Sequence, residues 1–330
     1  MAAISEGVTK AIMATMRDFL HSLPKAELHV HLEGSLDCAT LMELDPSLTA
    51  GQVDERYRYS GFDEFLKSFV WASGFLNRPE AYAVATRRLL ARLEAQNVRY
   101  VEITLSAGVA LWRGLDLAAI HDAIRGAAAE SNVESCWIWD AVRQFGPEPA
   151  AEVVEMAAAR LGDGVVAFGL GGDEARGPAA GFRNLFELAR GKGLRVVCHA
   201  GETEGPESVW QAIEAGAERI GHGIAAARDA ALLRALAQRS IPLEICISSN
   251  RRTGAAASFP VHPVRQLFDA GVAVILNTDD PPMFHTTLCA EYEIAAVEFG
   301  FTPAELRLLA ENSFRYGFGW NRPFPGESPA

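Results

Sequence analysis

The sequence lacks several features that define common classes of protein. Its five cysteines are odd in number and far apart, and they include no CxxC pair. They therefore indicate neither a disulfide framework nor a thiolate zinc cluster, and we expect free thiols. No segment offers about 18 consecutive uncharged apolar residues, the length that a membrane-spanning helix needs, and the first residues lack the apolar run of a signal peptide. These absences predict a cytoplasmic protein.

Basic residues are outnumbered by acidic ones. The chain carries 30 Lys and Arg against 42 Asp and Glu, which gives a formal net charge of −12. Nucleic acids and anionic membrane surfaces are bound by clustered Lys and Arg side chains. We therefore expect neither a nucleic-acid nor a membrane partner. The charge says nothing about a small-molecule substrate, and the sequence indicates no particular oligomeric state.

Short β-rich runs alternate along the chain with longer amphipathic segments. The eight β-rich runs are residues 26–33, 98–105, 134–142, 165–170, 194–200, 218–222, 241–247 and 272–278. The segments between them repeat apolar residues at the i, i+3, i+4 spacing of helices. This alternation predicts an α/β fold, a (β/α)₈ TIM barrel formed by a single domain over residues 1–330. The main alternative is a doubly wound open sheet, although no Gly-rich fingerprint follows an early strand.

The interval between the first two β-rich runs is too long for one crossover. It extends over about residues 34–97 and predicts extra helices inserted after the first strand. An apolar stripe within it consists of Phe62, Phe65, Phe69 and Phe75 or Leu76. Such a stripe is either core packing or a hydrophobic wall over a pocket, because loops on one face of a barrel build its active site.

Side chains that can bind a metal lie where the predicted strands end. His29 and His31 are two residues apart in the first strand, so both imidazoles point to the same side. His199 ends the fifth strand and Asp279 ends the eighth. Barrel enzymes carry their active sites at the carboxyl ends of the strands. Three imidazoles and a carboxylate suit Zn²⁺, so the sequence predicts one zinc ion per chain.

Other polar residues at the same strand ends can move protons or bind substrate. A catalytic zinc needs an acid or base nearby, and Glu202 follows His199 by three residues. An alternative for Glu202 is a structural role at a helix start. His222 ends the sixth strand and can orient an attacking water or take its proton, while Asp280 is free to bind substrate. Four histidines lie outside the strand ends. We expect His21, His121 and His262 to be structural or solvated, and His285 to lie at the rim of the pocket.

Six motifs resemble one known family. They are KAELHVHLEGSL, LGGDE, HAGE, RIGHG, SSN and LNTDDP, in this order. Together they resemble the adenosine deaminase family of metal-dependent hydrolases over residues 24–320. The resemblance implies a (β/α)₈ barrel with one zinc, which replaces the 6-amino group of a purine by oxygen and releases ammonia. It also implies that the zinc ligands are His29, His31, His199 and Asp279.

The resemblance assigns roles to the residues around the metal. Glu202 is similar to the acid that protonates purine N1, and His222 to the residue that positions and deprotonates the attacking water. Asp280 resembles the residue that hydrogen-bonds N7, and the backbone N–H of Gly172 resembles the group that meets N3. These roles fit the chemistry, because attack at C6 develops charge on both the ring and the oxygen.

Two residues bear on which aminopurine is the substrate. Adenosine deaminases usually have Asp after HxHL, whereas this chain has Glu33, as the adenine and aminodeoxyfutalosine branches do. The adenine branch usually carries a pattern after DDP that PPMFHTTL does not match. The resemblance therefore favours aminodeoxyfutalosine, of menaquinone biosynthesis, over adenosine and then adenine. Arg143 either binds the benzoate carboxylate of that substrate or has a structural role. A zinc hydrolase of amides or phosphoesters is the alternative from a different class.

Overall fold

Eight parallel strands form one sheet in the computed structural model, which describes residues 14–327. The strands are β1 Lys25–His31, β2 Val98–Leu105, β3 Glu134–Val142, β4 Val165–Gly171, β5 Arg195–Ala200, β6 Arg219–His222, β7 Leu243–Ile245 and β8 Val274–Leu276. Each strand pairs with the next in sequence order, and a parallel bridge between Val30 and Asp279 brings the last strand back to the first. The predicted (β/α)₈ barrel is therefore confirmed.

Helices surround the strands. They are α1 at residues 14–22, α2 Cys38–Leu44, α3 Ala50–Arg56, α4 Phe62–Ser73, α5 Pro79–Glu94, α6 Ala107–Trp112, α7 Leu117–Ala128, α8 Pro147–Ala158, α9 Arg183–Gly191, α10 Pro206–Ala215, α11 Ala230–Arg239, α12 Ile247–Thr253, α13 Val264–Asp269, α14 Leu288–Phe299 and α15 Pro303–Arg315. Local sequence explains several helix starts. Thr49 and Gln52 form a capping box at α3, Asp37 accepts from the Thr40 N–H at α2, and α5, α8, α10 and α15 carry proline in their first turn.

Four helices, α2 to α5, lie between β1 and β2, as predicted for the long interval after the first strand. The predicted range of β7 was too long, because Ile247 already begins α12 shortly after the strand.

Within residues 14–327, no helix is long and apolar enough to cross a membrane. All five cysteines are unpaired. A single domain over residues 1–330 stays a prediction, since residues 1–13 and 328–330 lie outside the described part.

A buried ion network lies inside the barrel beneath the carboxyl ends of the strands. The guanidinium of Arg219 is 1% exposed and lies 2.6 Å from Glu102 and 2.5 Å from Glu244. Removing one partner of such a network would leave a charge buried without compensation. Glu244 also contacts Nδ1 of His29 at 2.8 Å, so the network connects the barrel interior to the strand ends.

Candidate active site

Four histidines and one aspartate meet at the carboxyl ends of the strands. Asp279 Oδ1 lies 3.3 Å from His31 Nε2 and 3.5 Å from His29 Nε2, and Asp279 Oδ2 lies 4.0 Å from His222 Nε2. His199 joins them, because neighbouring imidazole centroids in the group are 4.6–5.4 Å apart. The structure thus brings together residues separated by up to 250 positions in the chain.

The donor atoms of this group fit a divalent metal ion. One donor atom from each of His29, His199, His222 and Asp279 lies within 4.8 Å of all the others. Nε2 of His29 and Nδ1 of His199 are buried and have no hydrogen-bond partner among the described residues. Buried polar atoms without partners are rare, and a metal ion would satisfy them. The group includes His222, whereas the sequence predicts His31, so five side chains compete for about four ligand positions.

The backbone at two of these residues adopts the left-handed conformation. φ is 65° at Asp279 and 61° at His222, values that non-glycine residues seldom adopt. Asp279 is held there by hydrogen bonds from its N–H to the His29 carbonyl at 3.0 Å and from the His31 N–H to its own carbonyl at 2.9 Å. Such backbone conformations are concentrated at active sites, where the surrounding structure enforces them.

Carboxylates on two sides determine how His29 is oriented. Burial lowers its pKa, but the carboxylates of Asp279, 3.5 Å from Nε2, and of Glu244, 2.8 Å from Nδ1, outweigh burial and raise the pKa to about 10. The carboxylate of Glu244 binds Nδ1, which directs Nε2 towards the group of ligands. Excess negative charge around this imidazole is what a bound cation would compensate.

Glu202 is a candidate acid because of its surroundings. Its side chain is 10% exposed, and Oε2 lies 3.6 Å from His222 Nε2. Burial, together with the charge of Asp279, raises the pKa of Glu202 to about 8. At neutral pH the carboxyl group therefore holds a proton that it can donate.

The loop that carries Glu202 is bound by a second carboxylate, that of Glu174 in the LGGDE motif, whose role was not predicted from the sequence. Glu174 accepts hydrogen bonds from the N–H groups of Gly201, Glu202 and Thr203 at 2.7, 2.9 and 3.0 Å, and from the Ser208 hydroxyl at 2.5 Å. Burial raises the pKa of Glu174, but these bonds, led by that of Ser208, outweigh it and lower the pKa. Glu174 is thus an ionised buried carboxylate that fixes the backbone at the candidate acid.

Asp280 and Gly172, the two predicted substrate contacts, line the same cavity as the metal-binding group. Asp280 is 2% exposed, and burial followed by the charge of Asp279 raises its pKa well above the usual range. A Cβ at Gly34 would lie 1.6 Å from Oδ1 of Asp280, so only glycine leaves room for this carboxyl group. Gly172 has a φ of 94°, and both Gly172 and Asp280 line the cavity above the histidines.

The cavity holds about 570 Å³ and opens to solvent. Its inner end is formed by the polar residues His31, His199, Glu202, His222, Asp279 and Asp280. Phe62, Phe65 and Phe69 of α4 form one side, so this part of the apolar stripe is a cavity wall. Trp112 and Phe145 stack near the opening, with ring centroids 5.7 Å apart and an interplanar angle of 29°. The cavity therefore combines a polar inner end with an aromatic outer part.

Comparison with known proteins agrees with this geometry. A model of the family described as adenosine deaminase matches residues 24–320. The chain belongs to the adenosine deaminase family. It is similar to an aminodeoxyfutalosine deaminase of Streptomyces avermitilis, 39% identical over 321 residues, which cover 92% of this chain and 88% of the relative. An adenine deaminase of Agrobacterium fabrum is 36% identical over 305 residues, covering 90% and 94%.

Solved structures show the same fold. An adenine deaminase from Arthrobacter aurescens has a TM-score of 0.84 at 27% identity, covering 90% of this chain and 94% of that one. An amidohydrolase from Burkholderia ambifaria with bound Zn has a TM-score of 0.82 at 25% identity, covering 93% and 88%. The family and the relatives establish that the chain is a deaminase, and its His/Asp group fits the metal site of this metal-dependent family.

The structure places two of the predicted substrate residues of this deaminase away from the cavity. Arg143 is 1% exposed, and its guanidinium donates to the carbonyls of Leu170, Gly171, Gly177 and His199. The side chain folds beneath the ends of β4 and β5 instead of entering the cavity. This geometry favours the structural alternative for Arg143.

Glu33 is also buried beside the cavity without lining it. It is 2% exposed, its Oε1 accepts from the Ser106 N–H at 2.9 Å, and burial raises its pKa to about 7. Its position connects the ends of β1 and β2. His285 is exposed and does not line the cavity either.

Two residues that line the cavity of the deaminase, Asp140 and Arg113, were not predicted from the sequence. Asp140, on β3, lines the cavity with Oδ1 unpartnered among the described residues, and burial raises its pKa to about 8. Arg113 lines the outer part, with Nη1 donating to the carbonyls of Ser73 and Leu76 at 2.9 and 3.1 Å. Arg113 is the C-cap residue of α6, the short helix that follows β2, and on a barrel the segments that follow the strands build the active-site face, so that signal could have identified it.

Proposed function

We propose that this deaminase binds one zinc ion through His29, His31, His199 and Asp279, and that it removes the 6-amino group of aminodeoxyfutalosine. The observation that supports this proposal best is the convergence of the metal-binding group with Glu202, whose pKa is raised to about 8, and with Asp280 at the inner end of one cavity. When bound, the metal supplies an activated water for attack at purine C6.

The residues of the chain account for the remaining chemistry. Glu202 gives its proton to N1, which makes C6 electrophilic, and the emptied carboxylate takes a proton from the attacking water. A C6–O bond forms, and Glu202 then transfers a second proton from that oxygen to the amino group. The C6–N bond breaks, ammonia leaves, and Glu202 is protonated as at the start.

Three groups hold the purine in place during these steps. Burial and the charge of Asp279 raise the pKa of Asp280, which favours the protonated form of the carboxyl group, and that form can donate to N7. The backbone N–H of Gly172 meets N3, and His222 orients the attacking water. Directed hydrogen bonds of this kind stabilise charge where it develops in the transition state.

The outer part of the cavity supports a substrate larger than a purine base. A volume of about 570 Å³ is in the range of pockets for drug-sized ligands. The aromatic pair of Trp112 and Phe145 can stack on an aromatic substituent, and Arg113 places a positive charge in the same part. A benzoate group on the far side of the nucleoside would meet both. Aminodeoxyfutalosine carries such a group, and the reaction would belong to menaquinone biosynthesis.

Adenine is the second candidate, supported by relatives that are adenine deaminases at 34–36% identity. Adenosine follows. Bare adenine would leave the aromatic outer part and Arg113 without a contact. We further propose a reducing, cytoplasmic setting, since all five cysteines are free thiols.

A steady-state comparison of aminodeoxyfutalosine, adenosine and adenine tests the proposal, with deamination followed by the change in purine absorbance. We expect the highest kcat/KM for aminodeoxyfutalosine. A higher kcat/KM for adenine would identify adenine as the substrate in place of aminodeoxyfutalosine. If none of the three compounds is deaminated, the assignment to purine deamination is refuted. Metal analysis of gently purified enzyme should find about one zinc per chain. A chain that is fully active after chelation would refute the metal role.

A further inference from the structure

Asn250 and His262 lie behind His222, on the side away from the metal-binding group. Asn250 belongs to α12, and His262 lies just before α13. Nδ2 of Asn250 is 3.1 Å from Nδ1 of His222, and Oδ1 of Asn250 is 3.2 Å from Nε2 of His262. All three side chains are buried, with exposed fractions of 1%, 0% and 5% for His222, Asn250 and His262. They form a hydrogen-bonded chain shielded from solvent.

The direction of these hydrogen bonds is fixed at the far end by the backbone. The N–H of Val264 donates to Nδ1 of His262 at 3.2 Å. A backbone N–H can only donate, so Nδ1 of His262 carries no proton and the imidazole proton must be on Nε2. Nε2 of His262 therefore donates to Oδ1 of Asn250, which directs the amide NH₂ of Asn250 towards His222. The opposite amide orientation would place two donors against each other in a buried site.

The same reasoning extends to His222. Because the Asn250 amide donates to Nδ1 of His222, that nitrogen must offer a lone pair, and the proton of a neutral imidazole is on Nε2. Nε2 is the nitrogen that faces Asp279 and Glu202, at 4.0 and 3.6 Å. A protonated nitrogen has no lone pair for a metal ion.

We propose that Asn250 and His262 are positioning residues that hold His222 in its Nε2–H tautomer, and that they thereby exclude it from the metal ligands and make it a hydrogen-bond donor to the reacting centre. His31, whose Nε2 lies 3.3 Å from Asp279 Oδ1, then takes the ligand position for which the two histidines compete. His222 orients the attacking water by donating to it and does not take its proton. This last role rests on the proposed function, whereas the tautomer does not.

The tautomer can be read from the ring nitrogens of ¹⁵N-histidine-labelled, zinc-loaded protein by NMR, because protonated and unprotonated imidazole nitrogens have well-separated chemical shifts. Comparison with His222→Gln identifies the signals of His222. We expect Nδ1 to be unprotonated and Nε2 to be protonated. The reverse pattern would overturn the proposal, even in an active enzyme.

Asn250→Asp reverses the hydrogen-bond direction at His222. A carboxylate accepts from Nε2 of His262 and from Nδ1 of His222, so the proton of His222 should move to Nδ1 and its two nitrogen shifts should exchange. Asn312→Asp is the matched control, since Asn312 is a buried amide that donates to the Val274 carbonyl. Unchanged His222 shifts in Asn250→Asp would refute the role of Asn250. If this variant fails to fold, the spectrum of the unmodified chain still shows which nitrogen of His222 carries the proton.

Metal affinity gives an independent result. His222→Gln should retain about one zinc per chain, whereas His31→Gln should lose more affinity than the roughly 10–100-fold that removal of an outer hydrogen-bond partner costs. The opposite order would make His222 the ligand and refute the proposal. Neither experiment uses a substrate, so a chain that fails to deaminate any purine would leave this inference standing.

Discussion

Replacing Glu174 by Gln should disturb the candidate acid without touching it. The carboxylate accepts four hydrogen bonds, two at each oxygen, from the backbone of residues 201–203 and from Ser208. Gln keeps the shape but replaces one oxygen by an NH₂ group. With that group at the Oε2 position, the Ser208 hydroxyl can turn to accept, but the Gly201 N–H then faces another donor, and the remaining bonds go to a neutral acceptor. Hydrogen bonds to a charged acceptor contribute about 1.5–3 kcal/mol each. Local relaxation of the loop reduces the loss, and we expect about 2–4 kcal/mol lower unfolding free energy.

The same variant should lose activity because the backbone that carries Glu202 loses its fixed position. We expect kcat to fall at least about 10-fold, since misplacement of a catalytic group by about 1 Å can cost 100-fold. Zinc content should be unchanged, because Glu174 contacts no residue of the metal-binding group in its hydrogen bonds. Denaturant unfolding, steady-state kinetics and metal analysis measure the three quantities.

The pH dependence of stability gives a further check on Glu174. Its pKa in the folded state is lowered from the usual value of 4.5, so its ionisation stabilises the fold above pH 4.5. That contribution is lost as the pH falls through the folded-state pKa. The stability difference between the unmodified chain and Glu174→Gln should therefore be largest near neutral pH and shrink in acid. Glu204→Gln, an exposed residue of the same loop, is the control. Equal stability and kcat in both variants would refute the reasoning.

Four further changes test the site. Asp279→Ala should remove most bound metal in a metal analysis, and a full equivalent of zinc would contradict its role. Glu202→Gln should retain metal and lower kcat by about 10²–10⁴-fold; a fast enzyme would exclude it as the acid. Arg113→Gln should lower kcat/KM for aminodeoxyfutalosine about 10–100-fold and leave adenine nearly unchanged, whereas an equal loss for both would indicate only a structural role. Gly34→Ala, whose Cβ would lie 1.6 Å from Asp280 Oδ1, should raise KM with metal retained, and Gly51→Ala, with open space around its Cβ, should not.

The barrel and the convergence of the His/Asp group at one face were predictable because both depend on local periodicity. Alternation of strands and helices indicates the fold, and the period of two along a strand places His29 and His31 on one side. Strand ends then meet on one face of the barrel, which brings His199 and Asp279 to them. No knowledge of long-range packing is needed for any of these steps.

The residues that orient the site were harder to predict from the sequence, because their partners are distant along the chain. Glu244 contacts His29 across 215 positions, and Glu174 binds a loop 27–34 residues away. Arg143 and Arg113 both follow strands, and periodicity does not distinguish them. The turn after β3 directs Arg143 beneath the sheet, where it donates to backbone carbonyls, while α6, the short helix after β2, ends at its C-cap residue Arg113 against the cavity.

The distances between donor atoms do not show which of the histidines are metal ligands. The four donor atoms that lie within 4.8 Å of one another include one from His222, whereas the family motif indicates His31. What distinguishes them is the location of a proton, which depends on a backbone N–H at Val264, two side chains away from His222. Nδ1 of His29 is bound by a carboxylate, so in the neutral ring that a metal ligand requires, the proton lies on Nδ1 and the inward nitrogen offers its lone pair. Nδ1 of His222 is bound by an amide donor, so its inward nitrogen carries the proton. At His29 and His222, the partner behind the imidazole thus decides whether the ring binds a metal or donates a hydrogen bond.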